Sequence, residues 1–441
     1  MKIQIALTLL LVTTLALQAL LPRLRLLIVL FGAALAALVC GLFHVATTPA
    51  LLREVPWDVL VILVGLGLVS ELFVSSRVFD VLAVATGRWS RADPRRLTVL
   101  FAVGMYAVSG LVNNLTALLL MLPILLGLFK LLGVRQRYVS WTVGLVLVAC
   151  NLGGAATPIG DFPAILLLGR GSMSFSGYLV RALPATLLAL GGLLVLTLVW
   201  IRPARGLDRS PLGARLTLVT LAALYRRVEV DWRRLLPPAV ALGAMLVAWL
   251  VVPAQAGVSA GLICWLGAGA ALLASGHFGE RIARARVDME TTLFLLALFV
   301  MVAAVKKSGV FLVVAHALIS LPLSAPLQLV AFLIGSAVLT GLFSAGPSMA
   351  ALLEVAALLA ERFEPSAVYV GLALAVCAGS SLFLTAATSG PLSQTLTERA
   401  GLVDPDGVPL RFGFLQFLPM GLVGFAVILS VAVGYTLWAA F

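Results

Sequence analysis

The chain has 441 residues, of which 62% are hydrophobic and only 11% are charged. Soluble globular proteins carry about 25% charged residues, so this composition excludes an ordinary soluble enzyme, a disordered chain and a disulfide scaffold. It predicts an all-α polytopic membrane protein. The formal net charge is +12. We expect that charge to lie in loops, where it sets the membrane topology, and we predict no nucleic-acid partner.

Apolar segments follow one another along the whole chain. A membrane-spanning helix needs about 20 apolar residues. Lys2 followed by apolar residues 3–21 predicts a retained first span and not a cleaved signal peptide. The candidate spans are 3–21, 26–46, 57–73, 97–112, 115–132, 138–152, 178–201, 236–252, 257–275, 289–305, 326–343, 347–361, 366–380 and 413–439.

Two pairs of apolar segments are interrupted near their middle. Residues 97–132 contain two adjacent asparagines at 113–114, and residues 326–361 contain a Ser-Ala-Gly-Pro turn at 344–347. Short, interrupted segments at matching positions of two halves are typical of transporter sites. We therefore predict that each pair is a re-entrant helical hairpin, which enters and leaves the membrane on one side.

The arginines orient the chain across the bilayer. With the two hairpins in place, one face carries 23 of the 30 lysine and arginine residues. Cytoplasmic loops are enriched in these residues, so this face is predicted to be cytoplasmic, in an inner (plasma) membrane of the bacterial type. The loops on this face are 22–25, 74–96, 130–137, the Arg-rich segment 202–235, 276–288 and 391–412.

The chain contains an internal repeat. Residues 57–82 align with residues 289–314, and later motifs match in the same order at similar offsets. Because residue 57 lies outside and residue 289 inside in the predicted topology, the two repeats are inverted. The predicted domains are N-terminal transmembrane helices (1–56), repeat 1 (57–201), a cytoplasmic Arg-rich linker (202–235), connecting transmembrane helices (236–288) and inverted repeat 2 (289–441).

The stretch NLGGAATPIGDFP, at 151–163, predicts a broken helix, because its glycines free the backbone and Pro158 disfavours helix before it. Broken backbone at membrane depth exposes carbonyls that hold a cation and helix N-termini that attract an anion. A carboxylate there costs about 2.5–3.5 kcal/mol on insertion scales. Asp161 is therefore predicted to bind the cation or take up the coupling proton. Alternatively, or in addition, it caps a short helix at 162–169.

We predict that the two hairpin tips and two broken helices form one ion site, since oxygen ligands suit hard cations. Asp161 and Glu354 are the candidates for proton coupling. Lys306 and Lys307 are expected to extend to the membrane surface. No catalytic residue, metal site or cofactor is predicted beyond a sodium ion or proton as coupling ion. The candidate ion-binding residues are Asn113, Asn114, Thr116, Asn151, Gly153, Gly154, Thr157, Asp161, Ser344, Ser348, Ser380, Ser381, Thr385 and Thr388.

The motifs resemble those of the ion-transporter superfamily, which includes arsenite permeases, NhaD-type sodium/proton antiporters and divalent-anion/sodium symporters. The resemblance covers 57–201 and 289–439 and rests on SGLVNNLT (109–116), NLGGAATPIGDFP (151–163) and the second-half segments TGLFSAGPSMAALL and AGSSLFLTAATSGPLSQTLTERAGL. Asn113 and Ala164 replace an Asp and an Asn of the family pattern. The resemblance implies an elevator-type secondary transporter and a possible homodimer.

The predicted function is secondary active ion transport by alternating access, most simply sodium- or proton-coupled antiport. The alternative is sodium-coupled transport of a dicarboxylate or another anion. A non-transporting membrane scaffold derived from a transporter is the alternative from a different class. An intramembrane aspartyl protease is disfavoured, because Pro158 stands where that motif needs Gly and the chain has no Tyr-Asp partner helix. The expected partners are an inorganic ion or small anion and the lipid bilayer.

Overall fold

The computed structural model describes residues 2–207, 229–252, 257–387 and 389–440. These ranges fold as α-helices, which confirms the predicted all-α membrane protein. Within them, nine helices are long and apolar enough to cross a bilayer. They are Arg25–Leu42, Trp57–Ser75, Asn114–Leu132, Gln136–Ala156, Phe175–Ile201, Trp232–Val251, Met289–Lys307, Ala325–Phe343 and Phe414–Ala440.

The described part of the first half contains ten α-helices, and a π-helical segment, Leu196–Ile201, extends the last of them. They are α1 (Lys2–Leu20), α2 (Arg25–Leu42), α3 (Thr48–Arg53), α4 (Trp57–Ser75), α5 (Val78–Trp89), α6 (Pro94–Ser109), α7 (Asn114–Leu132), α8 (Gln136–Ala156), α9 (Phe162–Gly169) and α10 (Phe175–Val195). The predicted linker 202–235 falls largely at 208–228, outside the described residues.

The described part of the second half again contains ten α-helices. They are α11 (Trp232–Val251), α12 (Ala260–Ala274), α13 (Gly276–Ala285), α14 (Met289–Lys307), α15 (Val310–Ile319), α16 (Ala325–Phe343), α17 (Ala345–Leu359), α18 (Pro365–Ser380), α19 (Ser389–Ala400) and α20 (Phe414–Ala440).

The two sets of helices follow the same order. Each begins with two helices and a shorter one, continues through a long and a short helix to a hairpin of two limbs, and ends with a broken helix and a long final helix. The predicted repeat began only at residues 57 and 289, whereas the observed order also pairs α1–α3 with α11–α13. The inverted orientation of the two repeats stays a prediction.

The two halves interlock through their first helices. α2 packs against α14 of the second half, and α12 packs against α4 of the first half. The Cys40 thiol lies 4.0 Å from the carbonyl oxygen of Ala304 in the first contact, and the Cys264 thiol lies 3.7 Å from that of Ile62 in the second. Each helix pair that precedes one repeat therefore covers the first helix of the other repeat.

Capping side chains fix where the helices of the site begin. The free backbone N–H groups of a helix N-terminus need acceptors. Asn113 Oδ1 accepts from Thr116 N at 2.8 Å, which starts α7 at the first hairpin tip. Asp161 Oδ1 accepts from Phe162 N at 2.8 Å, and Pro163 follows in the first turn of α9. The predicted short helix at 162–169 and the capping role of Asp161 are both confirmed.

The two broken helices lie at the centre of the molecule. α8 and α18 are buried over most of their lengths. α8 packs against α6, α10 and α20, and α18 packs against α16, α17 and α20. Because both helices end inside this packing, most of the irregular backbone that follows them is enclosed by protein, as backbone at membrane depth requires.

Candidate functional site

The first hairpin tip is fastened to both sides of the first helix break. The hydroxyl of Ser109, the last residue of α6, lies 2.7 Å from the carbonyl oxygen of Cys150 in α8. The hydroxyl of Thr157, just after α8, donates to the carbonyl oxygen of Gly110 at 2.6 Å. These contacts hold the tip against the break where the chain leaves helical geometry.

Asp161 faces the hairpin tip across this break. Asn114 and Asp161 both lie beside Gly154. The Oδ1 atom of Asn114 also contacts the Ser109 hydroxyl, which leaves the NH₂ group of Asn114 to donate towards Asp161. An added Cβ atom at Gly154 would lie 2.5 Å from Asn114 Oδ1 and 2.8 Å from Asp161 Cβ. The absence of a side chain at Gly154 therefore permits this approach.

No cationic side chain of the described ranges lies beside Asp161. Across the described ranges, the ion pairs involve other carboxylates, and no lysine or arginine nitrogen lies within 4.0 Å of Asp161. Its capping bond to Phe162 N occupies only one of several lone pairs. The carboxylate therefore keeps the capacity to accept a proton or bind a cation.

A small cavity adjoins Asp161. Its volume is about 10 Å³, and its lining includes Tyr178, Cys377 and Ser380. A cavity needs about 10–15 Å³ to hold one water molecule, so this one has room for a single small species. The Tyr178 hydroxyl donates to the carbonyl oxygen of Ala155 at 2.7 Å, which fixes that wall of the cavity.

Asn151 joins the two helix breaks. Its Nδ2 atom lies 3.2 Å from the Ser381 hydroxyl oxygen and 3.4 Å from the Ser380 carbonyl oxygen. Its Oδ1 atom accepts from the Ser389 hydroxyl at 3.4 Å. One amide from the first repeat therefore contacts both sides of the second break, where α18 ends and α19 begins.

The second hairpin tip meets the start of α9. Ser344 separates α16 from α17 with a φ of 80°, which is uncommon for a residue with a side chain. A Cβ atom at Gly346 would lie 3.6 Å from the ring of Phe162, and the Ser348 hydroxyl donates to the carbonyl oxygen of Leu339 at 3.4 Å. The N-termini of α7, α9, α17 and α19 therefore all lie around the two breaks.

Two predicted site residues face a different cavity. Asn113 and Thr116 line a polar cavity of about 170 Å³ on the other side of the first tip, together with Glu71, Arg286 and Asp288. Asn113 is exposed, whereas Asn114 is buried. The helical turn at the start of α7 thus points the two neighbouring asparagines in different directions.

Three other predicted residues have separate placements. Gly153 packs so closely that an added Cβ atom would overlap the carbonyl oxygen of Tyr106. Thr385 is exposed in the second break. Thr388 lies outside the described residues. The residues that the structure brings together around the breaks are Asn114, Asn151, Gly154, Thr157, Asp161, Ser380 and Ser381.

Glu354 lies at the opposite end of α9 from Asp161. It pairs with Arg170, the residue after α9, and with Lys306 at 3.2 Å. An eight-residue helix is about 12 Å long, so Glu354 is not a second carboxylate beside Asp161. Lys306 also lies 3.1 Å from Glu54, and Lys307 lies 2.7 Å from Glu54. Both lysines are therefore ion-paired within the protein, and their extension to the membrane surface stays a prediction.

Sequence reasoning missed Arg170, Glu54, Ser109, Ser389 and Tyr178. Arg170 and Glu54 sit near predicted helix ends, where charged residues are usual, and their partners are far away in sequence. Ser109 is the first residue of the hairpin-tip motif at 109–116, so the sequence could have identified it as a site residue. Ser389 directly follows Thr388 in the second broken helix. No sequence pattern marked Tyr178 as a site residue, because a single tyrosine in an apolar span is common.

The fold and this site define a class of protein, a helical membrane transporter. The structure is similar to that of the YdaH transporter of Alcanivorax borkumensis, with a TM-score of 0.59 and 16% sequence identity over 95% of this chain and 98% of that one. This similarity confirms a transporter fold.

The chain belongs to the citrate transporter (CitMHS) family, whose sequence profile matches residues 7–268 and 256–441. It is 28% identical to an uncharacterized transporter of Mycobacterium tuberculosis over 389 residues, 87% of this chain and 86% of the relative. It is also 28% identical to the magnetosome protein MamN of Paramagnetospirillum magneticum over 371 residues, 83% of this chain and 82% of MamN. Membership of the ion-transporter superfamily is thereby confirmed, and the protein is an integral membrane secondary transporter.

Proposed function

We propose that the protein is a cation-coupled secondary transporter in which Asp161 takes up the coupling sodium ion or proton. The observation that carries this proposal is the placement of the Asp161 carboxylate, at a helix break beside the hairpin tip, without a cationic partner in the ranges described. An ionised carboxylate at membrane depth is costly. A bound cation or proton cancels that charge, so the loaded site crosses the membrane more easily than the empty one.

The surroundings of Asp161 suit a small cation. The adjoining cavity of about 10 Å³ has room for one water-sized species. Ser380 lines it, and hard cations such as sodium take oxygen ligands. In antiport, a proton and a sodium ion would occupy the same carboxylate in turn, each displacing the other on opposite sides of the membrane.

A second candidate function is the cation-coupled transport of a carboxylate anion, as the family description suggests. The structural observation in its favour is that the N-termini of α7, α9, α17 and α19 converge around the breaks. Helix N-termini carry partial positive charge and attract anions. A dicarboxylate is larger than the cavity beside Asp161, so its binding requires a more open conformation of the hairpin tips.

Proton movement in proteoliposomes tests the role of Asp161. The purified chain is reconstituted with a pH-sensitive dye inside, and a sodium gradient is imposed. Wild-type protein, Asp161→Asn and Asp406→Asn are compared. Asp406 is an exposed carboxylate in the loop before α20, so its substitution makes the same chemical change away from the breaks. We expect a sodium-dependent pH change that only Asp161→Asn abolishes.

The same vesicles test the anion. Uptake of radiolabelled citrate is measured with and without sodium and pH gradients. Gradient-driven uptake that Asp161→Asn removes would assign cation-coupled anion transport, whereas proton exchange without citrate uptake would assign antiport. If the intact reconstituted protein shows neither activity and binds no labelled sodium, the proposal is wrong, and a non-transporting scaffold becomes the better description.

A further inference from the structure

An apolar groove of about 600 Å³ runs between α11 and α12. Leu236 and Ala274 lie at one end of it, and Ala248 and Ile263 lie towards the other. From Leu236 to Ala248, α11 rises by about 18 Å. The hydrocarbon core of a bilayer is about 30 Å thick, so the groove is about as long as one leaflet is deep.

Every side chain that lines the groove is apolar. Lipid acyl chains are the apolar groups that surround a pair of membrane-spanning helices. A hydrocarbon chain of the bilayer is therefore the apolar occupant at hand.

Polar side chains flank the groove at its Leu236 end. Trp232 and Arg233, in the first turn of α11, are both exposed. Arg233 precedes Leu236 by three positions and Pro237 by four, so it shares the face that lines the groove. Helical side chains lean towards the N-terminus, which carries the guanidinium beyond the groove. Tryptophan is enriched at the membrane–water boundary, so Trp232 places this end at headgroup depth.

Among the described residues, the Arg233 guanidinium has no ion-pair partner, whereas the adjacent Arg234 has one. Arg234 pairs with Asp231 at 3.1 Å, and Arg284 pairs with Glu280 at 2.7 Å. No carboxylate lies within ion-pair distance of Arg233 in the portion of the chain that the structure describes. Within the described residues, the groove therefore ends at a positive charge without a carboxylate partner.

We propose that this groove binds an anionic phospholipid of the bilayer, with an acyl chain between α11 and α12 and the phosphate on Arg233. The apolar lining selects a hydrocarbon chain, and the arginine at its end selects a negative headgroup. α12 packs on α4, the first helix of repeat 1. The lipid would therefore support the helix pair against that repeat. This site is separate from Asp161, so its test does not depend on transport.

Native mass spectrometry tests the headgroup contact. The purified full chain is mixed in detergent with phosphatidylglycerol or with phosphatidylcholine, and the retained lipids are counted. We expect preferential retention of phosphatidylglycerol. Arg233→Gln should weaken it about fivefold, and Arg399→Gln, the same change at an exposed position of α19, should not. Equal effects of these two variants would overturn the proposal.

A second pair of variants tests the groove itself. Ala244→Phe places a ring in the groove, and Ala239→Phe places the same ring on α11 outside the groove lining. We expect Ala244→Phe to reduce phosphatidylglycerol retention at least as much as Arg233→Gln does. Ala239→Phe should leave the retention unchanged. If both phenylalanine variants retain lipid like wild type, the headgroup binds without the groove and the proposal fails. If the wild-type protein is a dimer and Ala244→Phe dissociates it, a second copy of the chain occupies the groove and the lipid proposal is wrong.

Discussion

Arg170 and Glu354 form an ion pair that ties α9, the short helix after the first break, to the second hairpin. Arg170 directly follows α9, and Glu354 lies in α17, the return limb of the hairpin. Their side chains are only 19% and 8% exposed. Lys306 lies 3.2 Å from the second carboxylate oxygen of Glu354. The pair therefore joins site-bearing elements of the two halves at the end of α9 that lies away from Asp161.

Glu354→Gln should destabilise the fold strongly. Removing one partner of a buried pair leaves an uncompensated charge, at a cost of about 3–5 kcal/mol. Thermal unfolding in detergent measures the effect. Glu290→Gln is the matched control, since its pair with Arg25 is exposed on both sides and such pairs contribute about 0–1 kcal/mol. Equal losses for the two variants would contradict the buried pair.

Arg170→Gln combined with Glu354→Gln should cost less than the two single changes added together. The double variant leaves no unpaired charge between these two positions, although Lys306 still loses a partner. A double-mutant cycle of unfolding temperatures measures the coupling. Additive losses would show that the two side chains act independently.

Gly154→Ala should abolish flux while the protein still folds. The new Cβ atom would lie 2.5 Å from Asn114 Oδ1 and 2.8 Å from Asp161 Cβ, so it must displace one of them. Gly191→Ala is the control, because its Cβ atom meets nothing within 4 Å. Sodium-driven proton flux measures the effect, and size-exclusion profiles check folding. Normal flux in Gly154→Ala would argue against a functional Asn114–Asp161 contact.

Asn151→Leu should loosen the junction of the two breaks. It removes the acceptor of the Ser389 hydroxyl and a donor to Ser381. A buried polar group left without a partner costs about 1–3 kcal/mol, so both the unfolding temperature and the flux should fall. Gln394→Leu removes only a surface contact to Glu398 and should leave both unchanged. Matching values for the two leucine variants would refute the bridging role.

Glu54 should make stability depend on pH in the acidic range. The hydrogen bond from Lys307 holds the pKa of the Glu54 carboxyl below its ordinary value, and Lys306 acts in the same direction. A lowered folded-state pKa gives stabilisation that is present above the ordinary value of about 4.3 and is lost as pH falls through the folded value. Unfolding temperatures of wild type and Glu54→Gln between about pH 3 and about pH 7 should therefore converge at the acid end. A difference that persists there would contradict the ion pair.

Much of the first helix break could be predicted from the sequence, because its signals are local. The glycines and prolines of residues 151–163 predicted the break, and Asp161 was expected to cap the next helix. The second half of the site was harder to predict. Its tip has neither Asp nor Asn, and nothing local shows that Asn151 reaches Ser380 and Ser389. Glu354 was grouped with Asp161 since both are carboxylates of membrane segments, yet its position at the far end of α9 decides its partners.

The membrane helices, the interrupted segments of the hairpins, the first break and the superfamily could all be predicted from the sequence. Hydropathy, helix-breaking residues and motif spacing act over a few turns of chain, so they can be read along it. The crossed packing of α2 on α14 and of α12 on α4 became visible only in the folded structure, as did the separation of Asn113 from Asn114. The same holds for the partners of Arg170 and Lys306. These depend on contacts between residues far apart in sequence, whose choice is made by packing and charge pairing in the folded chain.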